Sequence, residues 1–451
     1  MKKWLNKIEN WLLWALPVVV FFSYLPVFYL GANESMYFEL SIPLIWLFIF
    51  GVLSLRKMPA VWRNFNWIRR VLWLALPIYA TISIIWSPNK IRGILVAGII
   101  WLILFSVLNI LSLKLRRDKI EKLLEVHMYA GVAAGLFGLL QSFLDVVGID
   151  RAATGLCAGC TYQAIGFPHP NGFAIEPQFF GNLLLLPNII SLLFLYNDIK
   201  ERKNKSQIAL DVVLTFFLMM SLFLTFSRGA IYAFMLAVIC YLLFACVKLH
   251  KFSTLLVLPL VVLSFGSGLL IQGWLAELSP TNEGFSHGIS RSIEQMSLGK
   301  IDFREDIEAD SNFSGYIEES TEIRLNMNDI ALRAWKKKAL FGTGLGGAGI
   351  AIHEEEPNLS SREIVQNEYL QILLELGIVG AVFIVICVIL ISIWFVAKKF
   401  RDDKFIFFGV LLIAYLATMG FFSGLPNVLH IYLMTPVFYL LFQKRPYVKI
   451  E

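Results

Sequence analysis

Long continuous apolar runs, broken by short polar connections, recur from one end of the chain to the other. Each run is long enough to cross a bilayer as a helix, and none shows the in/out alternation of a barrel strand. Backbone groups in hydrocarbon must be satisfied within the segment, so the runs predict helices. Twelve spans are expected: Trp11–Leu30, Phe38–Leu55, Val71–Trp86, Ile94–Leu113, Leu123–Val147, Phe179–Leu195, Ile208–Phe226, Ala230–Val247, Leu255–Ile271, Tyr369–Phe395, Phe405–Phe422 and Val428–Phe442. The first is read as a true span: it is long, and no small-residue cleavage site follows it. The expected fold class is all-α, a polytopic transmembrane bundle of about twelve spans with a helical extracytoplasmic loop domain. Three regions follow: 1–271 with spans one to nine and an outer loop at 148–178, 272–368 as the large outer loop, and 369–451 with spans ten to twelve and a short tail.

Composition agrees, with 57% hydrophobic and 16% charged residues in 451. Charge then sets orientation. Lys2, Lys3 and Lys7 precede the first span. Alternate connections hold Arg56, Lys57, Arg63, Arg69 and Arg70, then Lys114, Arg116, Arg117, Lys119 and Lys122, then Lys200, Arg202, Lys203 and Lys205. Lys248, Lys251, Lys398, Lys399, Arg401 and Lys404 continue the series, which ends with Lys444, Arg445 and Lys449. Twelve spans place all of these on one side, so both termini are expected in the cytoplasm. The net charge of +6 is then mostly a topology signal and calls for no nucleic acid. Among the cysteines, Cys240, Cys246 and Cys387 lie in spans and read as packing, whereas Cys157 and Cys160 form an outer C-x-x-C. A local disulfide is its simplest reading, since a metal would need a second ligand pair that the sequence lacks.

Two polar motifs mark the outer boundary. Ser227-Arg228-Gly229 links the seventh and eighth spans, with the glycine expected to turn the chain. Arg228 either snorkels to headgroups or offers a planar, bidentate fork to a diphosphate. Gln366-Asn367-Glu368-Tyr369 opens the tenth span. Between them, 323–335 predicts an amphipathic helix with Ile323, Met327, Ile330, Ala331 and Ala334 on one face. Its Arg324 and Arg333 are either surface charges or ligands of the same anion. The run Gly342-Thr343-Gly344-Leu345-Gly346 lacks the Lys-Ser/Thr of a phosphate loop and reads as a tight turn with close backbone approach. Glu176, before the sixth span, is a candidate base or arginine partner; the alternative is a carboxylate favoured by a helix N-terminus. The outer acidic residues, Glu305 and Glu354–Glu356 among them, show no EF-hand spacing.

These elements together resemble the O-antigen ligase/polymerase family of polytopic membrane glycosyltransferases. The matching residues are Trp86-Ser87-Pro88, Ser227-Arg228-Gly229, Arg324 ahead of Trp335, the Gly342-x-Gly344-x-Gly346 turn, and Asn367-x-Tyr369-Leu370-Gln371 running into Glu375-Leu376-Gly377-Ile378-Val379-Gly380. The resemblance implies an inverting transfer of a glycan from undecaprenyl diphosphate to an acceptor hydroxyl, at the outer face of the cytoplasmic membrane. It implies no metal and no cofactor. The acceptor is a glycan, a lipid or a protein; membrane lipids are the other partners. Arg228 and Arg324 are the expected diphosphate ligands, with Arg333 and Tyr369 beside the substrate, and Gln366, Asn367 and Glu176 complete the expected catalytic set. The family's histidine before Asn is Gln366 here, so the base falls to Glu176, His169, His353 or Glu368, or is dispensable with so good a leaving group, these two being preferred to a lost or changed activity because the arginines remain. Ligation is favoured over polymerisation. A lipid-linked glycan transporter is the alternative from another class, and it calls for charges and interrupted helices at mid-membrane.

Overall fold

The computed structural model describes residues 2–23, 28–30, 38–147, 169–174, 176–248, 256–278, 284–297, 301, 311–361, 363–398, 405–421 and 424–443. Cys157, Cys160 and Glu305 lie outside them. The described chain is helical apart from one small hairpin. In order it forms α1 (Lys2–Val19), β1 (Phe28–Leu30), β2 (Phe38–Leu40), α2 (Ile42–Leu55), α3 (Met58–Arg63), α4 (Trp67–Ser83), α5 (Lys90–Ser112), α6 (Arg117–Val146) and α7 (Pro177–Lys200). There follow α8 (Lys205–Leu224), α9 (Arg228–Lys248), α10 (Val257–Leu278), α11 (Phe285–Met296), α12 (Ser311–Lys337), α13 (Ala348–Glu355), α14 (Glu368–Lys398), α15 (Phe405–Thr418) and α16 (Leu429–Leu440).

Among the described residues, seven helices are long and apolar enough to cross a membrane, and four more apolar helices are shorter. The chain is a helical membrane protein. The expected first span is corrected: α1 ends at Val19, and Phe28–Leu30 pairs antiparallel with Phe38–Leu40 instead of continuing a helix. Phe38–Leu40 is likewise strand and not the start of the second span. The aromatic residues Phe28, Tyr29 and Phe38 favour the extended pairing.

Helix α7 is the axis of the bundle. In its apolar window 94% of residues are buried, against 17% for α4. It packs on α6, α8, α9 and α15. Leu183, Leu184, Leu185, Leu186, Ile189 and Ile190 are apolar all round it, as a core helix requires. The peripheral α4 and α14 instead leave Ile78, Ile82, Val382, Val385 and Ile389 exposed, side chains suited to lipid.

The glycine turn ties the outer segment to the bundle. Gly342, Gly344 and Gly346 all have positive φ. A Cβ at Gly344 would stand 2.6 Å from the Ser83 carbonyl oxygen, and one at Gly346 would stand 2.5 Å from the Gly93 nitrogen. Only glycine fits this approach to the α4–α5 junction. On its other side the turn meets a break in α14 at Gly377, where φ is 64°. The backbone groups freed there are used: Ile378 N–H donates to Ala339 O at 3.0 Å, and Gly344 N–H donates to Glu375 O at 2.9 Å. The interruption is filled by the protein's own backbone, as non-helical chain at membrane depth requires. Within α12, Met327, Ile330, Ala331 and Ala334 are buried on one face as the spacing predicts. Ile323 departs from the pattern and is exposed.

Candidate anion site at three helix N-termini

Arg324, on α12, organises the site. Its Nε–H donates to Gln366 Oε1 at 3.0 Å, and its Nη2 donates to Gln178 Oε1, also at 3.0 Å. Gln178 lies in the first turn of α7, and Gln366 precedes α14. The guanidinium therefore joins three segments far apart in sequence. Gln178 donates in turn from its Nε2 to the Phe421 carbonyl.

Phe421 also touches the Arg228 turn. A Cβ at Gly229 would stand 2.7 Å from the Phe421 Cβ. Gly229 is thus needed for close approach, not for turning the chain. The turn is made at Phe226, a bulky residue with φ of 48°. That conformation costs about 1–3 kcal/mol and persists because its surroundings impose it. Phe226 is buried and stacked on His169 at 5.2 Å between ring centroids. Ser227 then caps α9, its Oγ accepting from Ala230 N–H at 3.4 Å and its carbonyl from Ile231 N–H at 2.8 Å. Arg228 is left as the first residue of the helix. Gly181, one turn into α7, lies against Ser227 and Ala230 and so fixes α7 and α9 together.

Helix α14 supplies the third N-terminus. Asn367 Oδ1 accepts from Tyr369 N–H at 3.1 Å, so Asn367 is its cap. Glu368 is buried; its N–H donates to Met419 O at 2.9 Å, and its Oε2 accepts from Gly424 N–H at 3.1 Å. The Tyr369 hydroxyl donates to the Leu416 carbonyl. The positive ends of α7, α9 and α14 thus meet around two arginines, an arrangement that attracts anions.

Glu176 occupies the N-cap position of α7 but makes no side-chain capping bond. It keeps solvent contact. Burial of its surroundings raises the carboxyl pKa above the ordinary value, and the Arg324 charge opposes the rise. Its carboxyl thus lies within reach of the Arg324 charge. His169 differs: burial pushes it down to about 3, so it is neutral at physiological pH. His353 is spent on structure, its Nδ1 lying 2.6 Å from the Leu359 carbonyl oxygen.

The expected residues do not all gather. Arg324 and Gln366 meet directly, Glu176 lies within reach of the Arg324 charge, and Arg228 joins through Gly229, Phe421 and Gln178. Asn367 and Tyr369 brace the start of α14. Arg333 is engaged by Asp329 at 2.6 Å, an exposed pair one turn apart on α12. Sequence reasoning passed over Gln178, although an amide two residues after Glu176 at a helix start was a visible signal. Nothing local in the sequence marks Phe226, whose backbone is set by tertiary packing.

No curated protein and no solved structure matches the chain. Residues 213–385 match the family model described as O-antigen ligase. That stretch holds Arg228, Arg324, Gln366 and Tyr369, while Glu176 and Gln178 reach the site from outside it. Over residues 213–385 the chain is thus similar to the O-antigen ligase family.

Proposed function

We propose that the protein is a membrane glycosyltransferase that moves a glycan from undecaprenyl diphosphate to an acceptor hydroxyl at the outer face of the cytoplasmic membrane. The observation that carries this reading is the bridging of Gln178 and Gln366 by Arg324, beside the helix that Arg228 opens. In the reaction the acceptor oxygen attacks the anomeric carbon with inversion. The bond from that carbon to the diphosphate breaks, and the electron pair leaves with the diphosphate. Arg228 and Arg324 neutralise the growing charge, aided by three helix N-termini. Gln366 and Gln178 hold the Arg324 guanidinium in place. Glu176 takes the hydroxyl proton, which passes on to solvent or to the departing phosphate. Asn367 and Tyr369 set the entry of α14, and Arg333 meets the polar part of the substrate at the rim. No resident metal or other cofactor takes part in these steps.

The seven long helices, the four shorter apolar ones and α1 together make twelve crossings with both termini in the cytoplasm. That topology divides the chain at 1–271, 272–368 and 369–451, with the middle region outside. The acceptor is a glycan, a lipid or a protein, and ligation is preferred to polymerisation. The break in α14 gives little support to a transporter, because the Ala339–Gly344 backbone occupies it.

Arg228→Ala tests the reading. Transfer is expected to fall below detection while membrane insertion stays normal, and normal product from a well-expressed variant sinks the site. The lipid-linked glycan of cells lacking the protein separates the two activities. Long chains left on the carrier mean ligation, and single repeat units mean polymerisation.

A further inference from the structure

Helix α11 faces the wrong way for a simple cap. Its buried positions are Gly288, Arg291, Ser292, Glu294 and Gln295, while Phe285, Ile289, Ile293 and Met296 are only half-buried. The spacing of 288, 291, 292 and 295 is one helical face, and that face is polar. A polar stripe turned into a membrane protein needs a partner of its own kind.

Its surroundings are polar as well. Gly288 crosses the end of α10 so closely that a Cβ would stand 2.8 Å from the Gln272 carbonyl oxygen. Gln272 is fully buried, and neither atom of its amide has a hydrogen-bond partner among the described residues. Gln295 is buried too, with its Oε1 unpartnered among the same residues. Arg291, 7% exposed, donates from Nε to His287 Nε2 at 2.9 Å, which fixes the plane of its guanidinium. The far end of α11 returns to the anion site: the Tyr232 hydroxyl donates to the Met296 carbonyl. Tyr232 is one turn into α9 from Arg228 and within reach of its charge.

We propose that α11 and the end of α10 form a sugar subsite in which Gln272, Gln295 and Arg291 bind hydroxyls of the residue attached to the diphosphate. This rests on the function proposed above and extends it from the diphosphate to the glycan. The chemistry fits. An amide presents a donor and an acceptor in one plane, which matches the hydroxyls of a sugar, and a buried amide without a partner is the kind of group a ligand satisfies. A site so built discriminates strongly against ligands that lack the hydroxyls.

The test uses the full chain in lipid nanodiscs and two probes, bare undecaprenyl diphosphate and undecaprenyl diphosphate carrying N-acetylglucosamine. The wild type is expected to bind the sugar-bearing probe more tightly. The double variant Gln272→Leu/Gln295→Leu is expected to lose about tenfold in affinity for it, keep its affinity for the bare probe and melt no lower. A wild type without preference overturns the proposal. So does a double variant that keeps the preference, or one that melts higher with unchanged binding, which makes the amides mere packing defects. If the double variant does not fold, Gln295→Met alone carries the same comparison. Arg228→Ala keeps the parent reading separate: it weakens both probes if the anion site is right, and leaves the bare probe untouched if that site is wrong.

Discussion

Two charged clusters occupy opposite ends of the bundle, and they are built differently. Far along α5 from the glycine turn, Asn109 donates to Ser54 Oγ at 2.9 Å and to Glu9. Glu9 is buried and also pairs with Lys57 at 2.7 Å and with Arg56. One carboxylate there saturates two cations, and an amide closes the ring. At the other end Arg324 donates to two neutral amide oxygens, and burial raises the pKa of Glu176, a carboxyl within reach of its charge. The first arrangement ties two cations to one buried carboxylate and staples α1, α2 and α5. The second fixes the plane of a guanidinium between two segments far apart in the chain, which suits it to a planar anion.

The contrast breaks if the two clusters respond alike to substitution. Arg324→Ala is expected to lower the transfer rate about 10²–10³-fold, the usual cost of removing a donor to a developing negative charge. It should leave the melting temperature unchanged, since its two amide partners can turn to solvent. A fall in melting temperature that accounts for the lost rate makes Arg324 a brace and erases the distinction. Glu9→Ala should behave in the opposite sense. Arg56 and Lys57 side chains are 25% and 22% exposed, so both cations reach water once their partner is gone. The expected loss is about 1–2 kcal/mol, below the value for a fully buried pair. Chemical denaturation in detergent measures it, and transfer per folded molecule is expected to be unchanged.

The helices were legible in the sequence because the apolar runs are long and their ends are marked by charge. Most of the spans predicted there correspond to helices, shifted by a few residues. The first was misjudged because Phe28–Leu30 is as apolar as a span, yet forms a strand with Phe38–Leu40. Apolar character alone does not separate the two conformations. Arg228, Gln366 and Glu176 stood out in the sequence as polar residues near apolar boundaries, and Arg324 as a charge on an amphipathic stretch. The left-handed Phe226, the break at Gly377 and the inward polar face of α11 did not. Each depends on a neighbour remote in the chain: His169 beside Phe226, the Ala339–Gly344 backbone beside Gly377, and Gln272 beside Gly288.

The smallest effect sharpens the comparison most, because it tests the carboxyl and not the cation. Glu176 has a raised pKa, with burial raising it and Arg324 opposing. If its ionised form takes the acceptor proton, transfer must rise with pH across a limb above the ordinary glutamate value of about 4.3. Glu176→Gln should abolish that limb and lower the rate at neutral pH by about tenfold. The loss is modest beside the ~10²–10⁴ typical of removing a general base, because a diphosphate leaves readily. Arg324→Gln removes the charge that favours the ionised form, so in the residual activity the limb should move to higher pH. The pH profile of transfer by the three proteins measures all of this. A limb that survives in Glu176→Gln belongs to another group and removes Glu176 from the proton's path. A limb that moves down in Arg324→Gln means the guanidinium does not act on that carboxyl, and the outer cluster is then no more coupled than two separate surface charges.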